Sequence, residues 1–158
     1  MSLRAPRWGE AICQSTSKLL MNDEEIKHQK IILFDGVCNL CNGSVLFILE
    51  REKFSVLQFA SIQSETGKEL LKKYGLPPDY NQAVVLIDSG KIYLGSTAAL
   101  KIGQGLRFPW SVMSSLGLIV PKFVRDWVYK QIAKYRYRWF GKREVCMIPT
   151  EGLKSRFI

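Results

Sequence analysis

The chain has 158 residues, the length of one domain of ordinary size, and a formal net charge of +9. Hydrophobic residues make up 47% of it and charged residues 23%, which excludes the disordered and fibrous classes. A chain of this size can fold without disulfides or a structural metal, so its four cysteines are not needed for stability. No uncharged stretch reaches the length of a membrane-spanning helix.

Residues 1–29 contain no continuous apolar segment of the kind found in secretory signal peptides. We predict that they form a flexible extension and that the protein works in the reducing cytoplasm. Residues 1–22 hold a single acid, Glu10, beside several basic and hydroxyl residues, so organelle targeting is the alternative. Cys13 lies here and is given no chemical role. The predicted domain spans residues 30–149, and residues 150–158 form a tail.

Three elements are predicted in the first part of the domain. The apolar run of residues 31–34 predicts a buried strand, which ends at the turn Asp35-Gly36. A broad apolar stripe after Asn39 predicts a helix. Alternating apolar residues between positions 54 and 62 predict a second strand. This order favours two parallel strands joined by a right-handed crossover.

The second part of the domain reads as a helix, a hairpin and further helices. Ser64 is expected to cap a helix that ends at Gly75. Residues 83–87 and 92–94 flank a turn-forming segment and predict an antiparallel pair. Ser96 or Thr97 is expected to cap a short third helix, and residues 110–120 are predicted to be helical in part.

These elements predict an α/β, thioredoxin-like fold, a mixed four-stranded sheet flanked by helices. A long basic helix is added at the C-terminal end, beginning after Pro121 and ending at Gly141. We interpret this helix as amphipathic, with its apolar residues packed on the core and its basic residues solvated. Those apolar residues are Phe123, Trp127, Ile132, Tyr135 and Trp139. Contact with a membrane surface is the less favoured alternative, and no specific nucleic acid is expected.

Cys38 and Cys41 stand at the predicted N-terminus of the first helix. Only a thiolate attacks a disulfide, and the unpaired N–H groups and positive dipole end of a helix N-terminus stabilise an anion. The spacing places both cysteines on one side of the first turn, close enough for a disulfide bond. We predict that Cys38 attacks a substrate disulfide and that Cys41 resolves the mixed disulfide.

Asp35, on the turn before the pair, has two candidate roles. It could exchange protons with Cys41, or it could hydrogen-bond backbone N–H groups of the turn. The structural role is slightly favoured because Asp-Gly is a common turn pair without any chemistry attached.

This segment has four other interpretations. A structural zinc site needs four ligands, but the only histidine is His28, so no metal or other cofactor is predicted. Two thiolates can still hold soft Cu(I) or zinc, so a soft-metal carrier is the alternative function. An aspartate after a buried strand is also found in haloacid dehalogenase-like phosphatases. These enzymes carry a second aspartate at the position of Val37, so phosphoryl transfer is disfavoured here. The two cysteines could also be buried thiols without chemistry.

The chain resembles the DCC family of thiol-disulfide oxidoreductases, which is named for an Asp-x-x-Cys-x-x-Cys core. The match covers about residues 30–149. It is carried by residues 34–42, 88–93, 95–99, 128–129 and 136–141, together with Cys146 and Pro149.

The resemblance implies a thioredoxin-like fold and protein-disulfide reductase activity, with Cys38 and Cys41 as the redox-active pair. A disulfide-containing protein or small molecule would be the substrate, and an external thiol would be the reductant. Arg136 and Arg138 are candidates for stabilising the Cys38 thiolate. Cys146 is either a third redox thiol or, by preference, a buried apolar residue. Unlike thioredoxins, the chain has no proline immediately before its third strand, where Ala83 follows Asn81-Gln82.

Overall fold

The computed structural model describes residues 29–144 and 151–158. These contain four strands and five α-helices, with a short 3-10 helix (Glu151–Arg156) at the end. The strands are β1 (Lys30–Phe34), β2 (Leu57–Ser61), β3 (Val85–Asp88) and β4 (Lys91–Leu94). The helices are α1 (Asn39–Arg51), α2 (Glu65–Lys73), α3 (Gly95–Gln104), α4 (Trp110–Gly117) and α5 (Lys122–Phe140).

The four strands form one mixed sheet in the order β2-β1-β3-β4. Strand β1 pairs in parallel with β2 and antiparallel with β3, and β3 and β4 form an antiparallel hairpin. The predicted α/β, thioredoxin-like fold with its four-stranded mixed sheet and added C-terminal helix is therefore confirmed.

Strand β1 is central because its apolar run is covered on both sides. Ile32 and Phe34 face a core that includes residues of α1 and α3, whereas Ile31 and Leu33 face a second core that includes residues of α2. All four side chains are buried. A strand buried on both faces needs a continuous apolar run rather than an alternating one, which is why residues 31–34 read as a central strand.

The N-termini of α2 and α3 differ in how well the local sequence predicts their caps. The hydroxyl of Ser64 accepts the N–H of Gly67 at 3.0 Å and caps α2 as predicted. The predicted cap of α3 by Ser96 or Thr97 is wrong, since α3 begins at Gly95 without a side-chain cap. The Ser96 hydroxyl donates instead to the carboxylate of Asp126 on α5. A partner distant in sequence outcompetes the local backbone for this hydroxyl.

Helix α5 has the predicted ends, but its packing was predicted wrongly. Phe123, Trp127 and Trp139 are 76%, 64% and 61% exposed, and Arg136 is the one buried residue of the helix. Helical periodicity shows that apolar residues share a face, but it does not show that another element covers this face. Within the described part of the chain, no helix combines the length and hydropathy needed to cross a bilayer.

The C-terminal residues pack against the edge strand β2. The ring of Phe157 stacks on that of Phe59 with centroids 5.6 Å apart, and the N–H of Ile158 donates to the Phe59 carbonyl at 2.9 Å. Arg156 forms an ion pair with Glu52 at 2.7 Å. These contacts cover one edge of the sheet, on the side away from β4.

Candidate active site

The cysteine pair lies where β1 passes into α1, as predicted. Cys38 is the N-cap residue of α1, and its Sγ accepts the backbone N–H of Cys41 at 3.4 Å. The N–H of Cys38 donates to the carbonyl of Asp35 at 3.2 Å, which closes the turn between strand and helix. Both cysteines are free thiols in this structure. Their sulfur chemistry is thus placed at a helix N-terminus, where an anion is stabilised.

The two thiols differ in exposure. Cys38 has 0% of its surface exposed, whereas Cys41 is partly exposed and lines a cavity. Burial raises the pKa of Cys41 from 9.0 to about 12, and the hydrogen bond and charge of Cys38 act in the same direction. Cys41 is therefore a protonated thiol at neutral pH.

The backbone around Cys38 pairs with residues 141–143, which we call the cover segment. Cys38 and Lys142 form an isolated antiparallel bridge, and the N–H of Arg143 donates to the carbonyl of Val37 at 2.7 Å. Gly141 starts the segment with a φ of +79°, a conformation that side chains with a Cβ rarely adopt. The chain can therefore turn back over the cysteine directly after α5.

The side chain of Asn39 hydrogen-bonds to the cover segment and to the end of α5. Its Nδ2 donates to the carbonyl of Phe140 at 2.8 Å, and its Oδ1 accepts from Nε of Arg143 at 2.7 Å. One residue of the Cys-x-x-Cys motif thus binds both the last residue of α5, Phe140, and the last residue of the cover segment, Arg143.

Asp35 is a buried carboxylate whose two oxygens are both hydrogen-bonded. Oδ2 accepts from Nη2 of Arg136 at 3.0 Å and from the hydroxyl of Tyr137. Oδ1 accepts from Nε2 of Gln63 at 2.9 Å and from the N–H of Val37 at 3.2 Å. The contact with Val37 is the turn-stabilising role favoured from the sequence, but the ion pair with Arg136 was not foreseen.

Arg136 connects three parts of the fold. Besides Asp35, its Nη2 donates to the carbonyl of Asn81 at 2.6 Å and to the Tyr137 hydroxyl at 2.9 Å. Asn81 belongs to the segment before β3, where thioredoxins carry a proline. This segment, the end of β1 and helix α5 are therefore joined at one buried guanidinium.

The charges of Arg136 and Asp35 affect the pKa of the Cys41 thiol. The positive charge of Arg136 lowers the pKa of Cys41 and the negative charge of Asp35 raises it, although burial has the largest effect. Burial, followed by the hydrogen bond to Asp35, raises the pKa of Tyr137 to about 12. Tyr137 is therefore a neutral hydrogen-bond donor over the physiological pH range.

Gln63 completes the network at the end of β2. Its Oε1 accepts the N–H of Gly36 at 3.0 Å while its Nε2 donates to Asp35. On the other side of the turn, Nδ2 of Asn42 donates to the carbonyl of Gly36 at 2.9 Å. The backbone that leads into Cys38 is thus held from both sides.

A cavity of about 660 Å³ opens beside Cys41, between the sheet and helices α1, α3, α4 and α5. Its polar end is formed by Asp35, Asn81 and Arg136 together with the Cys41 thiol. The other walls are mainly apolar and include Phe34, Val45, Ile48, Ile102, Trp110 and Ile132. A mostly apolar pocket with a few converging polar groups is typical of a binding site.

The structure brings most of the predicted site residues together. Cys38, Cys41, Asp35 and Arg136 lie in one region, whereas Arg138 is exposed and takes no part in the hydrogen-bond network of Asp35. Cys146 lies outside the described residues. Among the described residues, no three His, Cys, Asp or Glu side chains gather as a metal site would require.

Two residues of the network, Gln63 and Tyr137, were not predicted. A signal for Gln63 was present, because it follows β2 and the carboxyl ends of parallel strands meet at one edge of a sheet. No local pattern pointed to Tyr137, since its contact with Asp35 depends on how α5 packs.

Comparison with known proteins identifies the family of this chain. A family model described as DCC1-like thiol-disulfide oxidoreductase matches residues 32–142. YuxK of Bacillus subtilis is 51% identical over 138 residues, which cover 87% of this chain and 99% of YuxK. A chloroplastic DCC family protein of Arabidopsis thaliana is 40% identical over 116 residues, which cover 73% of this chain and 67% of that protein. No solved structure gives a significant match. The chain therefore belongs to the DCC1-like family of thiol-disulfide oxidoreductases.

Proposed function

We propose that this protein is a protein-disulfide reductase whose dithiol pair is Cys38 and Cys41. The observation that carries the proposal is the N-cap position of Cys38, whose sulfur accepts the N–H of Cys41 at 3.4 Å. A thiolate at this position gains a hydrogen bond and the favourable end of the helix dipole. Membership of the family supplies the reaction class.

The two cysteines take different roles in the proposed reaction. The Cys38 thiolate attacks one sulfur of the substrate disulfide, which breaks the S–S bond and releases the other sulfur as a thiolate. Cys41, whose pKa is raised to about 12, stays protonated during this step. It then loses its proton and attacks Cys38 Sγ, releasing the second substrate sulfur. The substrate gains two electrons and two protons, and a Cys38–Cys41 disulfide remains.

Burial has the largest effect on the proton affinity of Cys41, and the charges of the network around Asp35 adjust it. Arg136 lowers the pKa of the thiol and Asp35 raises it, so any change in their pairing changes when Cys41 can attack. We assign Asp35 and Arg136 positioning and electrostatic roles, since they hydrogen-bond to each other and to neighbouring groups of the fold.

Cys38 has no exposed surface, so a substrate can reach it only after a local movement, which we assign to the cover segment paired with its backbone. The substrate would then extend from Cys38 past Cys41 into the apolar cavity. A substrate polypeptide with a large apolar residue near its disulfide matches this cavity better than a charged one. An external thiol reduces the pair again, and a reducing compartment such as the cytoplasm supplies such a thiol.

Insulin reduction by dithiothreitol tests the proposal with the full chain. We expect Cys38→Ser to reduce the rate to that of dithiothreitol alone. We expect Cys41→Ser to accumulate a mixed disulfide between Cys38 and insulin, detectable by mass spectrometry. Cys13→Ser is the control and should keep the wild-type rate.

Two results would overturn the proposal. Equal rates for wild type and Cys38→Ser would remove the assigned nucleophile. Tight, stoichiometric Cu(I) or zinc binding under anaerobic conditions without any turnover of insulin would favour a soft-metal carrier instead.

A further inference from the structure

Helices α4 and α5 contain almost no fully buried residue. Helix α4 has no buried residue, and the 19 residues of α5 include only Arg136 as a buried one. Of the large apolar side chains that the described residues expose, all but four lie between residues 108 and 140. The four exceptions are Leu46, Phe54, Val56 and Leu94. Monomeric soluble proteins rarely expose so much apolar surface in one region, which indicates a binding partner.

Several of these side chains are more than half exposed. Met113 and Leu116 of α4 are 58% and 59% exposed, and Ile119 between the helices is 77% exposed. In α5, Phe123 and Trp127 are 76% and 64% exposed. They are four positions apart and therefore share a side of the helix. We call the exposed surface of residues 108–140 the apolar face.

Exposed basic residues continue along the same helix. Lys130, Lys134 and Arg138 follow Trp127 at intervals of three and four positions, and all three are exposed. Asp126, the one acid of α5, is already engaged by the hydroxyl of Ser96. The face therefore combines apolar side chains with positive charge that no exposed acid of the helix offsets.

This charge decides between the occupants that an apolar face can have. A second copy of the chain would bring its own basic residues against these and would be repelled. An anionic lipid surface attracts them, and its interior accepts the apolar side chains. Exposed tryptophans such as Trp127 and Trp139 fit the same place, since tryptophan prefers the boundary between lipid and water.

The mouth of the cavity lies in the same region. Trp110, Ile132 and Phe140 line the cavity beside Cys41 and are also 37%, 41% and 49% exposed. We propose that the apolar face binds an anionic membrane surface peripherally, with the mouth of this cavity in the contact region. The proposal does not depend on the redox function of Cys38 and Cys41.

Vesicle flotation with the full chain tests the proposal. We expect wild type to bind vesicles of phosphatidylcholine and phosphatidylglycerol at least about tenfold more tightly than vesicles of phosphatidylcholine alone, since an anionic surface attracts the basic residues. High salt should weaken this binding.

Two sets of variants assign the binding to the face. Phe123→Ser with Trp127→Ser should lower the binding at least about tenfold, since each loses the insertion of a large apolar side chain. Leu46→Ser with Val56→Ser removes exposed apolar residues outside both helices and should not lower it. Replacing Lys130, Lys134 and Arg138 by Gln should abolish the preference for phosphatidylglycerol, whereas the same change at Lys53, Lys72 and Lys91 should keep it.

Several results would overturn the proposal. One is equal or absent binding to the two kinds of vesicle, and another is equal loss in the control variants. A third is a stable dimer in sedimentation velocity that the Phe123 and Trp127 changes dissociate, which would make the face a self-interface. The insulin assay separates the two proposals, since Phe123→Ser with Trp127→Ser should keep the wild-type rate in solution. Quenching of wild-type tryptophan fluorescence by brominated phosphatidylglycerol gives a test that needs no variant to fold.

Discussion

Nη2 of Arg136 lies 3.0 Å from Oδ2 of Asp35, although the two residues are 101 positions apart in the chain. Their side chains are only 7% and 3% exposed. The C-terminal helix α5 is therefore joined to the turn that carries Cys38, and the shape of this turn depends on how α5 packs. The ion pair thus connects the added C-terminal helix to the thioredoxin-like sheet.

Arg136→Met should destabilise the protein by about 3 to 5 kcal/mol, because it leaves the buried carboxylate of Asp35 without its cation. Asp35→Asn should have a similar effect, and the double variant should lose less than the sum of the two. Urea unfolding of the four proteins measures this. The control is Lys30→Met, which breaks a more exposed ion pair with Asp88 and should cost less than about 1 kcal/mol. Strictly additive losses would contradict direct pairing.

Asn39→Ala should expose Cys38 by releasing the cover segment. The substitution removes the hydrogen bonds to the Phe140 carbonyl and to Arg143. We expect alkylation of Cys38 by iodoacetamide, followed by peptide mass spectrometry, to become several-fold faster at neutral pH. Gln104→Ala removes an exposed amide that donates to the Ser115 hydroxyl, and it serves as the control. An unchanged rate in Asn39→Ala would show that another contact holds the segment.

The sequence predicted those features that local patterns determine. The apolar run of residues 31–34, the cap at Ser64 and the break at Gly141 each predict an element end or a buried strand, and the structure agrees. The position of the cysteine pair follows from the same patterns, because a strand, a turn and a helix must place Cys38 at a helix N-terminus.

Features that depend on distant contacts could not be predicted in this way. The cap role of Ser96 failed because its hydroxyl bonds Asp126 across the fold. The backbone around Cys38 pairs with a segment about a hundred positions away, and no local motif encodes this contact. The spacing of the apolar residues of α5 is the same for a helix face that packs on the core and for one that is exposed. The pattern therefore could not predict that these residues are exposed.

Because of Cys41, the free energy of unfolding should decrease as the pH rises above 9. Its pKa is raised to about 12 in the folded protein, mainly by burial, whereas 9.0 is its ordinary value. Below pH 9 the thiol is protonated in both the folded and the unfolded state, so its contribution to stability is fully present. As the pH rises from 9 towards 12, only the unfolded chain loses the proton, and this contribution is lost.

The check compares urea unfolding of wild type and Cys41→Ala at several pH values with a reductant present. The difference between their free energies of unfolding should shift against wild type as the pH rises above 9. Val45→Ala is the control, since it changes a buried residue of the same helix that does not titrate. Its difference from wild type should stay constant with pH. A constant difference for Cys41→Ala would contradict the raised pKa.

Gly67 allows α2 to pack closely on the end of β2, next to Gln63. A Cβ at Gly67 would lie 2.0 Å from the carbonyl oxygen of Ser61, a backbone atom that cannot move aside alone. Gly67→Ala should therefore destabilise the protein by about 1 to 3 kcal/mol, the usual cost of overpacking. It should also lower disulfide reductase activity, because Gln63 holds both Asp35 and the N–H of Gly36.

Gly43→Ala is the matched control for Gly67→Ala. Gly43 lies inside α1, and a Cβ there meets nothing within 4 Å. Alanine is the better helix former, so this change should stabilise the protein by up to about 1 kcal/mol. Urea unfolding and the insulin assay measure both variants. If both glycine variants gained stability, the close contact between α2 and Ser61 would be contradicted. Any loss of activity in Gly67→Ala would then need an explanation other than the contact of Gln63 with Asp35.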